Sequence, residues 1–139
     1  MRFMLGYGSC GIAAGAEQVA DALEAALFGS GQAMEKVGCV GMCFAEPMMQ
    51  VVDEQGRDLY YGYLKPEDMA PLAAALLSGK TPRENLLTDE ELSFLTGQTR
   101  VALRNCGRID PESLAAYEAA GGFQAFRRAL TQSPEAVIG

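Results

Sequence analysis

Two short apolar runs flank a stretch of helical periodicity, and this succession restricts the fold more than any other feature of the chain. "RFMLGY" at 2–7 ends in the glycine-rich "GYGSCG" and reads as a strand entering a tight turn. From Ala13 to Phe28, residues Ala16, Val19, Leu23 and Leu27 recur at helical spacing, while Glu17, Asp21 and Glu24 take the other face. "GSG" at 29–31 stops this amphipathic helix. "AMEKVG" at 33–38 is the next strand and leads directly into Cys39. A helical crossover between consecutive strands implies parallel pairing.

After Cys43, "PMMQVVD" and "DLYYGYL" flank the polar, glycine-containing "DEQGRD", which predicts a β-hairpin and two antiparallel strands. "PEDMAPLAAALLSG", Pro66 to Gly79, opens with proline and acidic residues and ends in glycine, as a helix does. Pro71 lies near enough to its start to be tolerated. The order β-α-β-β-β-α with a mixed sheet predicts an α/β, thioredoxin-like domain over 1–79, followed by a small helical extension.

The remainder differs in character. "KTPRENLLTDEELSFLTGQT" at 80–99 is polar and broken by Pro82 and Gly97, so 80–97 reads as a linker with one helical turn at Asp89 to Leu95. From residue 98 an extended segment precedes two short helices. Asp110-Pro111-Glu112 is expected to cap the first, Gly121-Gly122 to divide them, and Phe123, Phe126 and Leu130 to line one face of the second. "SPEAVIG" opens a third helix with Ser133 as cap, and its short run suggests a fragment of a longer protein.

Charge and residue usage narrow the chemistry. The net charge of −7 and the lack of clustered Lys and Arg argue against a nucleic-acid partner. No apolar stretch reaches the about 20 residues a membrane span needs, so a cytoplasmic protein without membrane insertion is expected. The chain has no histidine, so a metal would be held mainly by thiolate or carboxylate. Four cysteines are present: Cys10, Cys39, Cys43 and Cys106. Cys106 reads as a small buried hydrophobe. The other three lie at strand ends in glycine-rich loops, "GSCG" and "GCVGMC", where backbone N–H groups approach a ligand closely.

Three kinds of chemistry suit such thiols. A thioredoxin-type redox pair needs Cys-x-x-Cys at a helix start, whereas the pair here has three intervening residues and follows a strand. A closed zinc site needs four ligands, and this region offers three unless Cys106 folds back. An iron–sulfur cluster is held by thiolates, with backbone N–H groups tuning its potential.

The motifs themselves carry a resemblance. "GSCGIAAGA" at 8–16 followed by "VGCVGMCFAEPMMQV" at 37–51 resembles the thioredoxin-like [2Fe–2S] ferredoxin domain found at the N-terminus of certain NADH-binding flavoprotein subunits. These belong to NADH:acceptor oxidoreductases, including respiratory complex I, and to electron-bifurcating [FeFe] hydrogenases. "QTRVALRNCGRIDPESLAAYEAAGGFQAFRRAL" at 98–130, then "PEAVI", looks like the opening of the flavoprotein core of those subunits. The resemblance implies an electron-transfer module with Cys10, Cys39 and Cys43 as metal ligands and other subunits of the complex as partners. It implies that FMN, NAD, a [4Fe–4S] cluster and dehydrogenase activity belong to a missing C-terminal part, leaving 1–139 catalytically inert, with 98–139 a truncated start of the core. One position departs from the family, whose complete sites have a further cysteine five residues before the one matching Cys10. Leu5 stands there, so a fourth ligand comes from elsewhere (Ser9, Cys106 or a partner) or the domain is a cluster-less docking module.

Three neighbouring features have simpler readings. Glu46-Pro47 reads as an ordinary strand-start proline in preference to a cis proline shaping the loop. Met42, Met48 and Met49 read as core filler in preference to a soft shell around a cluster. Tyr60, Tyr61 and Tyr63 are expected to pack on both sides of the hairpin.

Overall fold

The computed structural model describes all residues 1–139. Strand β1 (Arg2–Gly6) leads into a helical turn α1 (Ser9–Ala13) and helix α2 (Ala16–Leu27), and the chain returns as β2 (Met34–Val37). β1 and β2 pair in parallel from Phe3 opposite Met34 to Gly6 opposite Val37. A 3-10 turn at Cys43–Ala45 precedes β3 (Met49–Val52), which pairs antiparallel with the other side of β1. β4 (Asp58–Tyr61) completes the hairpin, giving a four-stranded mixed sheet in the order β2-β1-β3-β4. Helix α3 (Pro66–Leu77) follows.

The helix expected over 13–28 forms as α2, and a separate turn of helix, α1, precedes it. Gly15 takes φ +103°, a left-handed conformation that ends α1 and starts α2 at Ala16. Cys10 therefore lies within a turn of helix and not in an open loop. The hairpin forms around Asp53, whose carboxylate accepts from the backbone N–H of Gln55 and Arg57 at 2.9 and 2.8 Å and from Arg57 Nε at 2.7 Å. Gly56 supplies the positive φ that the turn requires. In α3, Asp68 reaches back to accept from the Lys65 N–H at 2.8 Å, and the helix runs through Pro71 without a break.

Alternation along the strands separates two cores. Phe3 and Leu5 of β1, Met49 and Val51 of β3 and Tyr61 of β4 meet Val19, Leu23 and Leu27 of α2 and Met69, Leu72 and Leu76 of α3. Tyr60, out of phase with Tyr61, packs instead against a smaller cluster of Met42, Ala45, Met48, Leu87 and Leu95. Tyr63 is exposed, so the three tyrosines do serve different sides of the hairpin. All three methionines are buried, Met49 in the main core and Met42 and Met48 in the smaller one, as the core-filler reading anticipates.

The stretch expected as a linker runs along β4. The Leu87 N–H donates to the Tyr60 carbonyl at 2.8 Å, Gly62 N–H to the Asn85 carbonyl at 2.9 Å, and Leu86 bridges to Tyr61. Thr88 and Glu91 then form a reciprocal capping box at the start of helix α4 (Asp89–Thr96), whose Leu95 enters the smaller core. At the opposite margin of the sheet, Arg2 makes a bidentate ion pair with Glu35 of β2 at 2.6 and 2.9 Å.

Beyond it lie turns and three short helices, α5 (Leu114–Ala119), α6 (Gln124–Ala129) and α7 (Pro134–Ile138), none with a buried residue. The α5 cap is Ser113, whose hydroxyl accepts from the Ala116 N–H at 3.2 Å, and not the expected Asp110-Pro111-Glu112. Asp110 instead closes a local turn by accepting from the Glu112 N–H at 2.9 Å. Ser133 caps α7 as expected. Phe123 precedes α6 in a left-handed conformation and stacks edge-on against Tyr117, 5.0 Å between ring centres. Phe126 and Leu130 are exposed, so no buried face forms there. No helix is long and apolar enough to cross a membrane.

Candidate metal centre

Parallel pairing puts the C-terminal ends of β1 and β2 side by side, and the chain leaves both in glycine-rich segments. The Tyr7 N–H donates to the Val37 carbonyl at 2.8 Å and extends the pairing by one residue. Gly8 then lies against Cys39, where a β-carbon would come 3.0 Å from the Cys39 Cβ. The α1 turn starts here, with the Ile12 N–H bonded to the Gly8 carbonyl at 3.0 Å, and carries Cys10 inward.

On the other loop, Gly41 at φ +96° reverses the chain so that its N–H donates to Cys39 Sγ at 3.2 Å. Cys43 opens the 3-10 turn and brings its sulfur 3.6 Å from that of Cys39. The three sulfurs of Cys10, Cys39 and Cys43 lie within 4.8 Å of one another. Cys10 and Cys39 are half-buried and Cys43 is exposed. Cys106 lies outside this group and is half-buried, less enclosed than the fully buried thiol expected. Leu5, at the position of the family's remaining cysteine, is fully buried in the main core and offers no donor.

Burial favours the protonated form of two of these thiols, Cys10 and Cys39. Desolvation first, then the hydrogen bonds from Cys39 and Cys43, push Cys10 up to about 12. Desolvation likewise raises Cys39, against the opposing pull of the Gly41 N–H. A metal reverses this order, because coordination requires the thiolate and expels the proton.

One residue of the site is legible only in three dimensions. Glu46 is 92% buried, one oxygen accepting from the Met48 N–H at 3.0 Å and the other accepting from Cys10 Sγ at 3.7 Å. Burial raises its pKa. The Glu46-Pro47 peptide is cis, a correction to the ordinary proline expected. The available signal was the acidic residue itself, set in the otherwise apolar "FAEPMMQVV" directly after the cysteine loop.

The donor set fits a thiolate-held iron site. Three soft sulfur ligands converge within 4.8 Å of one another, and the Gly41 N–H already points at one of them. The thioredoxin dithiol geometry is absent from the pair, which follows a strand and spans three residues.

No protein-family model matches the chain. Over 41 residues the chain is 46% identical to a protein described as "NADP-reducing hydrogenase subunit HndC" from Solidesulfovibrio fructosivorans. That match spans 30% of this chain and 8% of the subunit. Among solved structures, the thioredoxin-like [2Fe–2S] ferredoxin from Aquifex aeolicus aligns with a TM-score of 0.52 at 16% identity, covering 63% of this chain and 98% of the ferredoxin. The fold is thioredoxin-like, and the short match to a hydrogenase subunit agrees with the hydrogenase side of the resemblance read from the sequence.

Proposed function

We propose that this chain is an electron-transfer module of a multisubunit NADH- or NADP-linked oxidoreductase, in which Cys10, Cys39 and Cys43 ligate a [2Fe–2S] cluster. The observation that carries this reading is the convergence of the three sulfurs within 4.8 Å at one end of the sheet. When bound, such a cluster supplies one-electron exchange with a flavin or a neighbouring cluster.

The chain's own residues set the conditions for that exchange. Gly8 and Gly41 let the two loops close on one another, so that Cys10 meets the Cys39/Cys43 pair. The Gly41 N–H stabilises negative charge on the Cys39 sulfur, which favours the thiolate and tunes its donation. Met42 and Met48 pack beneath the loop and exclude water from its inner side. Cys43 faces outward, giving a partner access to the site.

In this reading residues 1–79 are the ferredoxin-type domain, 80–97 the connection, and 98–139 the opening of a flavoprotein core. Flavin, dinucleotide and [4Fe–4S] binding are assigned to other parts of such a subunit, and its partners to the same cytoplasmic complex. Anaerobic reconstitution with iron and sulfide tests the proposal. A visible charge-transfer band with about two irons per chain, lost in Cys39→Ser, is the expected result.

A cluster-less docking module is the second reading, favoured by one observation: Leu5 is buried where a fourth thiolate would stand. Failure of the wild-type chain to take up iron under those conditions selects it.

A further inference from the structure

We propose that the carboxylate of Glu46 is the fourth ligand of the cluster, so that Cys10 and Glu46 hold one iron while Cys39 and Cys43 hold the other. The inference rests on the cluster reading above and assigns the position that Leu5 leaves without a donor.

Three observations carry it. The first is pairing. Cys39 and Cys43 sulfurs are 3.6 Å apart, and Cys10 Sγ and Glu46 Oε1 are 3.7 Å apart. A tetrahedral centre with metal–sulfur bonds of about 2.3 Å has ligand–ligand edges of about 3.7 Å, slightly shorter where one ligand is oxygen. Each of these two contacts is spaced as two ligands on one ion, within a group whose three sulfurs lie within 4.8 Å of one another.

The second is an uncompensated charge site. Glu46 is 92% buried, yet no Lys or Arg reaches its carboxylate, and its neutral partners are one backbone N–H and the Cys10 thiol. A buried carboxylate without a cation is costly unless it is neutralised or binds metal.

The third is a cradle that fits the carboxylate. A β-carbon at Gly6 would lie 3.0 Å from both Glu46 oxygens, and one at Gly11 would lie 3.2 Å from Oε2. Side chains at either position would displace the carboxylate from Cys10. Cys106 is not part of the thiol group. Oxygen is a competent donor to ferric iron, and a mixed sulfur–oxygen set makes the two irons chemically distinct.

The test is Mössbauer spectroscopy of chain reconstituted anaerobically with iron-57 and sulfide, as wild type, Glu46→Gln and Glu46→Cys. Wild type is expected to show two doublets of equal area, one typical of all-sulfur iron. Glu46→Gln should alter or lose the other doublet, cutting bound iron at least two-fold. Glu46→Cys should load fully, with both doublets all-sulfur and stronger visible absorption. A Glu46→Gln spectrum that superimposes on wild type, or a wild-type spectrum in which both irons are already all-sulfur, overturns the assignment while leaving the electron-transfer reading intact. The wild-type spectrum decides even where Glu46→Gln does not fold. No iron uptake by wild type or Glu46→Cys overturns both.

Discussion

Gly107 stands against Val40 of the cysteine loop with no room for a side chain: a β-carbon there would overlap the Val40 Cγ1 methyl. Its φ of +74° is also left-handed. Nearby, Pro111 comes within 4.0 Å of where a Gly38 β-carbon would be. The stretch after α4 therefore rests on the back of the loop that carries Cys39.

Gly107→Ala should accordingly destabilise the protein by about 1–3 kcal/mol through strain and overlap together. Chemical denaturation reads this as a lowered midpoint. An unchanged midpoint would mean that residues 98–112 are not seated on the loop in solution.

Leu95 joins α4 to Met42 and Met48 in one small core under the same loop. Leu95→Ala should cost about 2–4 kcal/mol and speed alkylation of Cys39 and Cys43, since the packing that fixes their loop is lost. Phe28→Ala, at a residue 92% exposed, should stay within about 0.5 kcal/mol of wild type and serves as the comparison.

Without metal, the 3.6 Å separation of Cys39 and Cys43 invites oxidation, because closing to a disulfide takes a movement of only about 1.5 Å. Mild oxidant should form one disulfide per chain. Peptide mapping should find it between Cys39 and Cys43, with Cys10 and Cys106 still free to be alkylated. Recovery of a Cys10-containing bridge as the main product would contradict the geometry.

The Cys10 thiol gives the reduced, metal-free protein an alkaline weakness. Its folded pKa, pushed up to about 12 by desolvation and then by its sulfur neighbours, exceeds the unfolded value of about 8.5. The neutral thiol's contribution is complete below the unfolded value and is lost as pH rises towards the folded one. Between about pH 8 and about pH 11 the melting temperature of wild type should fall further than that of Cys10→Ala. Parallel curves would show that Cys10 ionises as readily in the folded chain as in the unfolded one.

Much of the framework is legible in the chain because periodicity reports burial directly. Val19, Leu23 and Leu27 mark the inner face of α2, and the alternation through Met49 and Val51 marks that of β3. Periodicity is blind to backbone reversal, so the separate turn α1 ahead of Gly15 and the cis bond before Pro47 escape it. Glycine-rich strand ends identify where Cys10, Cys39 and Cys43 meet. The role of Glu46 is not legible in the sequence, because its place beside Cys10 depends on the turn at Cys43–Ala45 and on space left by Gly6 and Gly11. Polarity marks 80–97 as a connection but does not reveal that Asn85, Leu86 and Leu87 form backbone bonds with the strand beside them.

That bridge from Leu86 to Tyr61 also limits how a foreign strand can approach the sheet. It occupies the hydrogen-bonding margin of β4, while the opposite margin presents Glu35 and Lys36, with Glu35 engaged by Arg2. A charged or already occupied margin resists annexation by a foreign strand. In the electron-transfer reading proposed above, contact with another subunit is thereby displaced from backbone zippering to the tip where Cys43 and Phe44 are exposed, the same tip an arriving electron would have to reach.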